Sequence, residues 1–238
     1  MKTCVIIPCY KVLKNIETVL KAIDLNQIDK VFVIDDNCPE KTGDFLKRKN
    51  ISSQIEIIIL NKNLGVGGAT LHGFKKALSE KFELIFKIDG DGQHDPSDLK
   101  KFLHKFENNK INFCKGTRFN NTKNKNKIPK FRLVGNIVLT KISRITCKNE
   151  NLTDVVNGFF AIRHELLEKL DLDKISKGYF FEEDLLFHIS FYESNIYEIP
   201  IKTIYFGKSS LSPIKTIIPF LIKHLKNLMI RIFYEFTK

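Results

Sequence analysis

The stretch Phe86-Lys87-Ile88-Asp89-Gly90-Asp91-Gly92-Gln93-His94 decides the fold of this chain of 238 residues. The apolar run at 84–88 is short, rich in strand-forming residues and followed by glycine, which predicts a buried strand. Asp89 and Asp91 follow at its carboxyl end. Two carboxylates one residue apart can hold a divalent cation that takes its other ligands from phosphate and water. We interpret the stretch as a metal and diphosphate site; for the motif alone, a surface turn is the alternative.

The composition is that of a folded protein with a strong positive charge. Hydrophobic residues make up 43% of the chain, which argues against disorder, and the formal net charge is +12. Such a charge favours an anionic partner: nucleic acid, a phosphorylated ligand or an acidic membrane surface. The length suits one sizeable α/β domain, with or without an appendage.

The cysteines and the apolar runs indicate a cellular compartment. The 5 cysteines include no Cys-x-x-Cys pair, which favours reduced thiols in a cytoplasmic protein over a disulfide framework or a zinc site. No signal-peptide pattern precedes the first strand. No uncharged apolar run approaches the roughly 20 residues needed to span a bilayer. We therefore expect a cytoplasmic protein that is soluble or associated with the membrane surface.

Strands and helices alternate through the first half of the chain. Apolar runs predict four strands, at 3–8, 31–34, 55–60 and 84–88. Helical spacing at 13–23 and 71–82 predicts βαβ units, and therefore a mostly parallel sheet flanked by helices. Each strand is followed by polar or glycine residues: Tyr10, Asp35 with Asp36, Gly65 to Gly68, and Asp89 with Asp91. These residues should meet at one edge of the sheet, where open α/β sheets bind ligands.

The second half of the chain is less regular. It contains a strand pattern at 111–114, a helix pattern at 131–145 and a last strand at 196–201. The triplet Glu182-Glu183-Asp184 stands where a helix begins, a position in which the helix dipole favours carboxylates. From 213 to 238, basic residues alternate with aliphatic and aromatic ones. This pattern is typical of helices in a membrane interface, and a helical pair packed on the domain is the alternative.

In this order, the motifs resemble the family 2 inverting glycosyltransferases with the GT-A fold. Within that family they look most like the dolichyl-phosphate mannose synthase-like branch, which acts on polyprenyl phosphates. The matching stretches include Val5 to Tyr10, Val33 to Asn37, Asn63 to Gly65, Asp89 to Pro96, Gly116 to Phe119, Arg132 with Asn136, Asp154 with Gly158, Glu183 with Asp184, and Gly207 to Ser212. The resemblance implies a GT-A catalytic domain at 1–212, with a Rossmann-like, mostly parallel central sheet, followed at 213–238 by a basic amphipathic helical extension.

The resemblance also implies roles for individual residues. Nucleotide contacts would come from Pro8, Tyr10, Asp36, Gly65 and Asp89. Mg²⁺ or Mn²⁺ on the donor diphosphate would be held by Asp89, Asp91 and Gln93. Phosphate or acceptor contacts would come from Arg118, Arg132 and Lys208. The catalytic carboxylates would be Asp184 and Glu183, with Asp184 as the base, or as a group that orients the sugar if the acceptor is already a phosphate anion.

The activity implied by the resemblance is a metal-dependent, inverting sugar transfer from a UDP- or GDP-linked donor. The acceptor would be a polyprenyl phosphate or a lipid-linked glycan, used in cell-envelope glycan synthesis at the cytoplasmic membrane face, which the C-terminal extension would contact. The alternative is extension of a cell-surface polysaccharide or lipooligosaccharide. A sugar-nucleotide pyrophosphorylase is disfavoured because no glycine-rich basic loop follows the first strand. A nucleic-acid partner is not expected, because acidic residues occupy the predicted ligand edge.

Overall fold

A computed structural model describes residues 1–49, 51–108, 110–119, 130–203 and 213–237, and for 108, 130–132 and 213–218 it describes the backbone only. Within these ranges, seven strands form one sheet: β1 (Thr3–Cys9), β2 (Lys30–Asp35), β3 (Ile55–Ile59), β4 (Leu84–Lys87), β5 (Phe113–Thr117), β6 (Phe160–Arg163) and β7 (Tyr197–Pro200). All four strands predicted in the first half of the chain are present.

The helices that flank the sheet are α1 (Leu13–Lys21), α2 (Thr42–Lys47), α3 (Gly65–Ser79), α4 (Leu99–Asn108), α5 (Lys130–Cys147), α6 (His164–Glu168), α7 (Phe181–Ile189) and α8 (Pro213–Phe236). A short 3₁₀ turn, Pro96–Asp98, leads into α4. The sequence patterns above did not predict α2, α4 or α6. Of these, α4 buries Leu99, Phe102 and Phe106 against the sheet at helical spacing.

The sheet has the strand order β3-β2-β1-β4-β6-β5-β7. Parallel pairing joins β3, β2, β1 and β4, and β5 with β7, whereas β6 runs antiparallel between β4 and β5. The mostly parallel α/β sheet is therefore confirmed. Because β1 lies between β2 and β4, their carboxyl ends meet at one edge. Phe160, the first residue of the reversed strand β6, pairs with Lys87 at the same edge.

Each face of the sheet carries its own hydrophobic core. Along β1, Cys4 and Ile6 belong to one core, and Val5 and Ile7 belong to the other. A strand that is buried on both faces is expected to be apolar throughout, as β1 is. All 5 cysteines are free and buried.

Helix α8 packs on the domain through its polar side. His224, Asn227 and Arg231 recur at helical spacing and are all buried, with exposed fractions of 3%, 4% and 5%. The opposite side presents apolar side chains to solvent, and these are Leu221, Ile222, Leu225, Met229, Ile230, Ile232, Phe233 and Phe236. Among the described residues, no helix combines the length and apolarity required to cross a bilayer.

Candidate active site

The candidate site lies at the edge of the sheet where β1, β2 and β4 end. Backbone contacts join the three ends: the amide of Asp36 donates to the carbonyl of Cys9 at 2.9 Å. A Cβ placed on Gly90 would lie 3.3 Å from the carbonyl oxygen of Pro8, so the Asp-Gly-Asp segment packs directly against the end of β1. Gly92 has a φ of +76°, a left-handed conformation that glycine adopts without strain.

Asp35 and Asp36 at the end of β2 hold two loops. Asp35 accepts a hydrogen bond from the amide of Cys38 at 2.7 Å and another from the amide of Gly43. Asp36 accepts from the amides of Leu64 and Gly65, at 2.6 and 2.8 Å, and so caps the N-terminus of α3. Burial raises the pKa of Asp36 in spite of these two donors. The two acids therefore fix the loops on both sides of the β2 end.

Lys87, the last residue of β4, is a fully buried cation between two carboxylates. Its Nζ lies 2.6 Å from Oδ1 of Asp89 and 2.9 Å from Oε1 of Glu182. Burial opposes the charged ammonium, but the two carboxylates outweigh it and raise the pKa of Lys87. Burial would raise the pKa of Asp89, but the charge of Lys87 and other nearby groups lowers it. Lys87 thus joins β4 to the start of α7.

Asp91 is the acid of the Asp-Gly-Asp motif whose negative charge is less compensated. Its oxygens accept from the backbone amide and the side-chain amide of Gln93, both at 2.9 Å, and its carbonyl accepts from Nδ2 of Asn15 at 2.6 Å. Burial and the neighbouring charge of Asp89 raise its pKa to about 6. Asp91 therefore carries negative charge that a bound cation could stabilise.

His94 lies behind the Asp-Gly-Asp motif. Its ring is 7% exposed, its Nδ1 is 3.7 Å from Oδ2 of Asp89, and it packs against Phe159. Burial lowers the pKa of His94 to about 4, so the imidazole is neutral at pH 7. Its position is that of a supporting residue beside Asp89.

Arg118, after β5, is held by a buried carboxylate. Its Nε and Nη2 donate to the two oxygens of Asp154 at 2.7 and 2.6 Å, and Asp154 is fully buried. Burial would raise the pKa of Asp154, but the guanidinium lowers it. Lys115 donates to the carbonyl of Asp154 and is itself buried. A guanidinium and a second basic side chain therefore contact Asp154 on the β5 side of the edge.

The acidic triplet at the start of α7 divides among three environments. Glu182 faces Lys87, as described above. Glu183 is 2% exposed, and neither of its carboxyl oxygens has a hydrogen-bond partner among the described residues. Burial raises its pKa well above the usual range, which favours the protonated form. Asp184 is 4% exposed and accepts from the amide of Ser176 at 2.8 Å and from Nδ2 of Asn227 at 3.0 Å.

The structure brings together most of the residues predicted for the site. Asp89, Asp91 and Gln93 share the loop after β4, and Pro8 and Tyr10 lie at the end of β1, where Tyr10 is 44% exposed. Asp36 and Gly65 are joined by a hydrogen bond. Glu183 and Asp184 are the third and fourth residues of α7. The carboxylate oxygens of Asp184 accept hydrogen bonds from Ser176 and from Asn227 in α8. Arg132 lies in α5 with its side chain outside the described residues, and Lys208 lies outside them altogether.

Several residues at this edge were not predicted from the sequence as part of the site, among them Lys87, Lys115 and Asn15. Lys87 could have been found, because a lysine inside a buried apolar strand requires an anionic partner. Glu182 was included in the acidic triplet at the start of a helix, but its ion pair with Lys87 was not predicted. Asn15 lies in α1, and no local signal in the sequence relates it to Asp91.

A metal ion at this edge would need ligands from outside the protein. The described part of the chain contains no group of three or more His, Cys, Asp or Glu side chains arranged to hold an ion. Phosphate oxygens and water are the usual additional ligands when a protein supplies one or two carboxylates to Mg²⁺.

Comparison with known proteins gives a consistent result. Residues 4–171 match the model of glycosyl transferase family 2. The chain is 29% identical over 213 residues to the UDP-N-acetylglucosamine–dolichyl-phosphate N-acetylglucosaminyltransferase of Methanococcus voltae, covering 84% of each chain. It is 28% identical over 212 residues to the undecaprenyl-phosphate mannosyltransferase of Micrococcus luteus, covering 84% of this chain and 83% of that one.

Among solved structures, glucosyl-3-phosphoglycerate synthase from Mycobacterium tuberculosis, in complex with Mn²⁺, UDP and phosphoglyceric acid, superposes with a TM-score of 0.70. The match covers 97% of this chain and 78% of that one at 15% identity, and it shows a common fold. The family match covers more than half of the chain, and the matched stretch includes the acids at the carboxyl ends of β2 and β4. The chain therefore belongs to glycosyl transferase family 2, and it is a glycosyltransferase with the GT-A fold.

Proposed function

We propose that this glycosyltransferase moves a sugar from a nucleotide-diphosphate sugar to a polyprenyl phosphate, with inversion and with Mg²⁺ or Mn²⁺ on the donor diphosphate. The observation that carries the proposal is the arrangement of acids on either side of β1: Asp36 at the end of β2, and Asp89 and Asp91 at the end of β4. The names of the two relatives, which specify dolichyl phosphate and undecaprenyl phosphate, support the acceptor class.

The nucleotide would bind across the ends of β1 and β2. Tyr10 presents an exposed ring there, which can contact a base, and Pro8 lies beside it in β1. Asp36 uses one hydrogen bond on each oxygen to cap α3. Because a carboxylate oxygen accepts more than one hydrogen bond, Asp36 retains capacity for a ligand donor. The UDP in the M. tuberculosis structure is consistent with a uridine nucleotide, and GDP is the alternative.

The residues after β4 fit a divalent cation. Asp89, Asp91 and the amide oxygen of Gln93 are hard oxygen donors, the type that Mg²⁺ and Mn²⁺ prefer. The raised pKa of Asp91 reflects burial and repulsion by Asp89, and a cation there would favour its charged form. When bound, the cation would neutralise charge on the leaving nucleoside diphosphate.

The environment of the acidic triplet favours a phosphate acceptor over a hydroxyl acceptor. A hydroxyl must lose its proton to a general base as it attacks, whereas a phosphate oxygen is already an anion. Asp184 is nearly buried with both oxygens hydrogen-bonded, Glu183 favours the protonated form, and Glu182 is ion-paired with Lys87. These contacts leave the triplet poorly suited to act as a base. The alternative, extension of a polysaccharide, a lipooligosaccharide or a lipid-linked glycan, requires one.

Helix α8 would place the enzyme at an anionic membrane surface. Its exposed side is apolar, with Leu225 60% and Phe233 72% exposed, and its outer positions also include Lys223 and Lys226. An apolar helix face flanked by lysines suits the boundary between acyl chains and anionic headgroups. This position would bring the edge of the sheet to the layer in which a polyprenyl phosphate resides, at the cytoplasmic membrane face.

A matched pair of acceptors tests the proposal. Purified protein is incubated with Mn²⁺ and either UDP- or GDP-linked sugars, together with undecaprenyl phosphate or undecaprenol in detergent. We expect transfer to the phosphate from one nucleotide class, no transfer to the alcohol, and no transfer in EDTA. Asp91→Ala should abolish transfer with the fold retained, because it removes a metal ligand and no core contact.

Asp44→Ala is the control variant, since Asp44 is exposed in the first turn of α2. It should retain full activity. Equal transfer to undecaprenol and undecaprenyl phosphate would overturn the acceptor assignment. Full activity of Asp91→Ala would overturn the metal assignment.

A further inference from the structure

Asp184 connects two parts of the molecule that are distant in sequence. One of its oxygens accepts from Nδ2 of Asn227 in α8 at 3.0 Å, and the other accepts from the amide of Ser176, before α7, at 2.8 Å. Asp184 and Asn227 are both 4% exposed. A second contact runs in parallel, because Nζ of Lys223 in α8 lies 3.1 Å from Oγ of Ser176. Helix α8 is thus joined to Ser176 directly and through Asp184.

The segment that Asp184 holds, Ser176 to Gly178, packs on the N-terminus of α3. The amide of Gly68 donates to the carbonyl of Lys177 at 2.9 Å. A Cβ on Gly67 would lie 2.5 Å from the carbonyl oxygen of Ser176, and one on Gly65 would lie 2.6 Å from that of Lys177. The glycines of α3 therefore allow a backbone approach that other residues would block.

The N-terminus of α3 is held from two sides. Asp36, at the end of β2, accepts from the amides of Leu64 and Gly65, and Ser176 to Gly178 covers the glycines from the other side. A change in the position of Ser176 would therefore be transmitted to Gly65, which is one of the residues proposed to contact the nucleotide. Asn227 lies in the same buried stripe as His224 and Arg231, so its position depends on the docking of α8 as a whole.

We propose that Asp184 is a positioning residue, which ties the membrane-facing helix α8 to the Ser176–Gly178 segment and so fixes the N-terminus of α3 for nucleotide binding. It acts through hydrogen bonds to Ser176 and Asn227 and takes no proton from the acceptor. The docking of α8 on the domain and the position of the N-terminus of α3 are then coupled. The nucleotide part of this inference rests on the proposed function.

Three variants separate positioning from base catalysis. Asp184→Asn keeps an oxygen for the amide of Ser176, and its amide can donate to a reoriented Asn227, so both hydrogen bonds can persist. Asp184→Leu removes both, and Asn227→Leu removes only the link to α8. Loss of one such hydrogen bond corresponds to about a fivefold change in an equilibrium constant. Asp44→Leu, at an exposed position in the first turn of α2, is the control.

The first measurement is hydrogen exchange at the amides of Gly65 to Gly68 in the unliganded protein, and the second is the affinity for UDP and for GDP, each with Mn²⁺. We expect Asp184→Leu and Asn227→Leu to speed the exchange and to weaken nucleotide binding, each about fivefold or more. Asp184→Asn and Asp44→Leu should match the wild type in exchange, affinity and kcat.

The opposite pattern would overturn the proposal. If Asp184 is the base, Asp184→Asn should lower kcat by about 100-fold or more with unchanged exchange and KM. Unchanged exchange at Gly65 to Gly68 in Asn227→Leu would also overturn it, and that variant serves if Asp184→Leu does not fold. If no nucleotide binds even to the wild type, the proposed function fails. The exchange rates at Gly65 to Gly68 still decide whether Asp184 positions the N-terminus of α3.

Discussion

Replacing Lys87 by methionine should destabilise the protein more than any surface charge substitution. Methionine has a similar length but leaves Asp89 and Glu182 without the cation that lies 2.6 and 2.9 Å from them. Removal of one partner from a buried ion pair costs about 3–5 kcal/mol. The carboxylates of Asp89 and Glu182 are 30% and 12% exposed, so water can compensate in part. We therefore expect a loss near the lower end, about 3 kcal/mol.

A divalent cation should restore part of this loss. Without Lys87, both oxygens of Asp89 can face a cation, so Lys87→Met should bind Mn²⁺ more tightly than the wild type does. A ligand at a hundredfold excess over its Kd stabilises the folded state by about 2.7 kcal/mol. Urea unfolding in EDTA and in Mn²⁺ measures both effects, and the stabilisation by Mn²⁺ should be larger in the variant.

A matched lysine provides the control. Lys30 is paired with Glu56 at 3.2 Å, and its side chain is 26% exposed, so Lys30→Met should cost less than about 1 kcal/mol. Adding Glu182→Gln to Lys87→Met should recover stability, because it removes one of the two uncompensated charges. The reasoning is refuted if Lys87→Met costs no more than Lys30→Met, or if the second substitution destabilises further.

Three further predictions concern stability and membrane binding. Gly158→Ala should lower the free energy of unfolding in urea by about 1–3 kcal/mol, because the new Cβ would lie 2.5 Å from Oδ2 of Asp89. Gly135→Ala, which has open space around it, should not lower it. Burial lowers the pKa of His224 to about 4, so between pH 4 and 6.5 the unfolded chain binds more protons than the folded protein. The wild type should therefore lose stability between pH 8 and pH 5, and in His224→Leu this loss should be about 2 kcal/mol smaller. An unchanged pH profile of the free energy of unfolding would contradict this. Phe233→Asp should reduce co-sedimentation with phosphatidylglycerol vesicles, whereas Tyr197→Asp should not; equal binding by both would argue against docking through α8.

The convergence of acids at the sheet edge could be predicted from the sequence because it depends on topology. Consecutive parallel strands joined by helices place their carboxyl ends on one side, so Asp36 and Asp89 had to lie at the same edge. The connection between Asp36 and the glycines of α3 follows from the same order. Neither inference requires the direction of a side chain.

The different contacts of Glu182, Glu183 and Asp184 could not be predicted from the sequence. Successive residues of a helix point about 100° apart, so only one of three neighbours can face a given site. Which one does so is decided by the packing of α7 between α5, α8 and the sheet. In the structure, this packing turns Glu182 towards Lys87 and directs Asp184 to Asn227.

The sequence pattern also did not predict that α8 packs on the domain through its polar side. Its composition favoured an amphipathic helix in a membrane interface, with packing on the domain as the alternative, but it did not show that a polar stripe would pack on the domain. Instead, the polar stripe of His224, Asn227 and Arg231 packs inward, with Nε of Arg231 donating to the carbonyl of Thr146 at 2.9 Å. Polar partners on α5 and α7 make this orientation possible, and they are dispersed in the sequence.

The charges at the edge indicate where a cation would be needed. The net charge of +12 suggests excess positive charge, yet the cations near the edge are already engaged: Lys87 with Asp89 and Glu182, and Arg118 with Asp154. Asp36 is compensated by two backbone amides. The carboxylate of Asp91 accepts hydrogen bonds from the amides of Gln93 and has no ion pair among the described residues, and burial with Asp89 nearby raises its pKa to about 6. The negative charge that the protein leaves least compensated is thus at the second acid of the motif, where a cation brought by a diphosphate would bind.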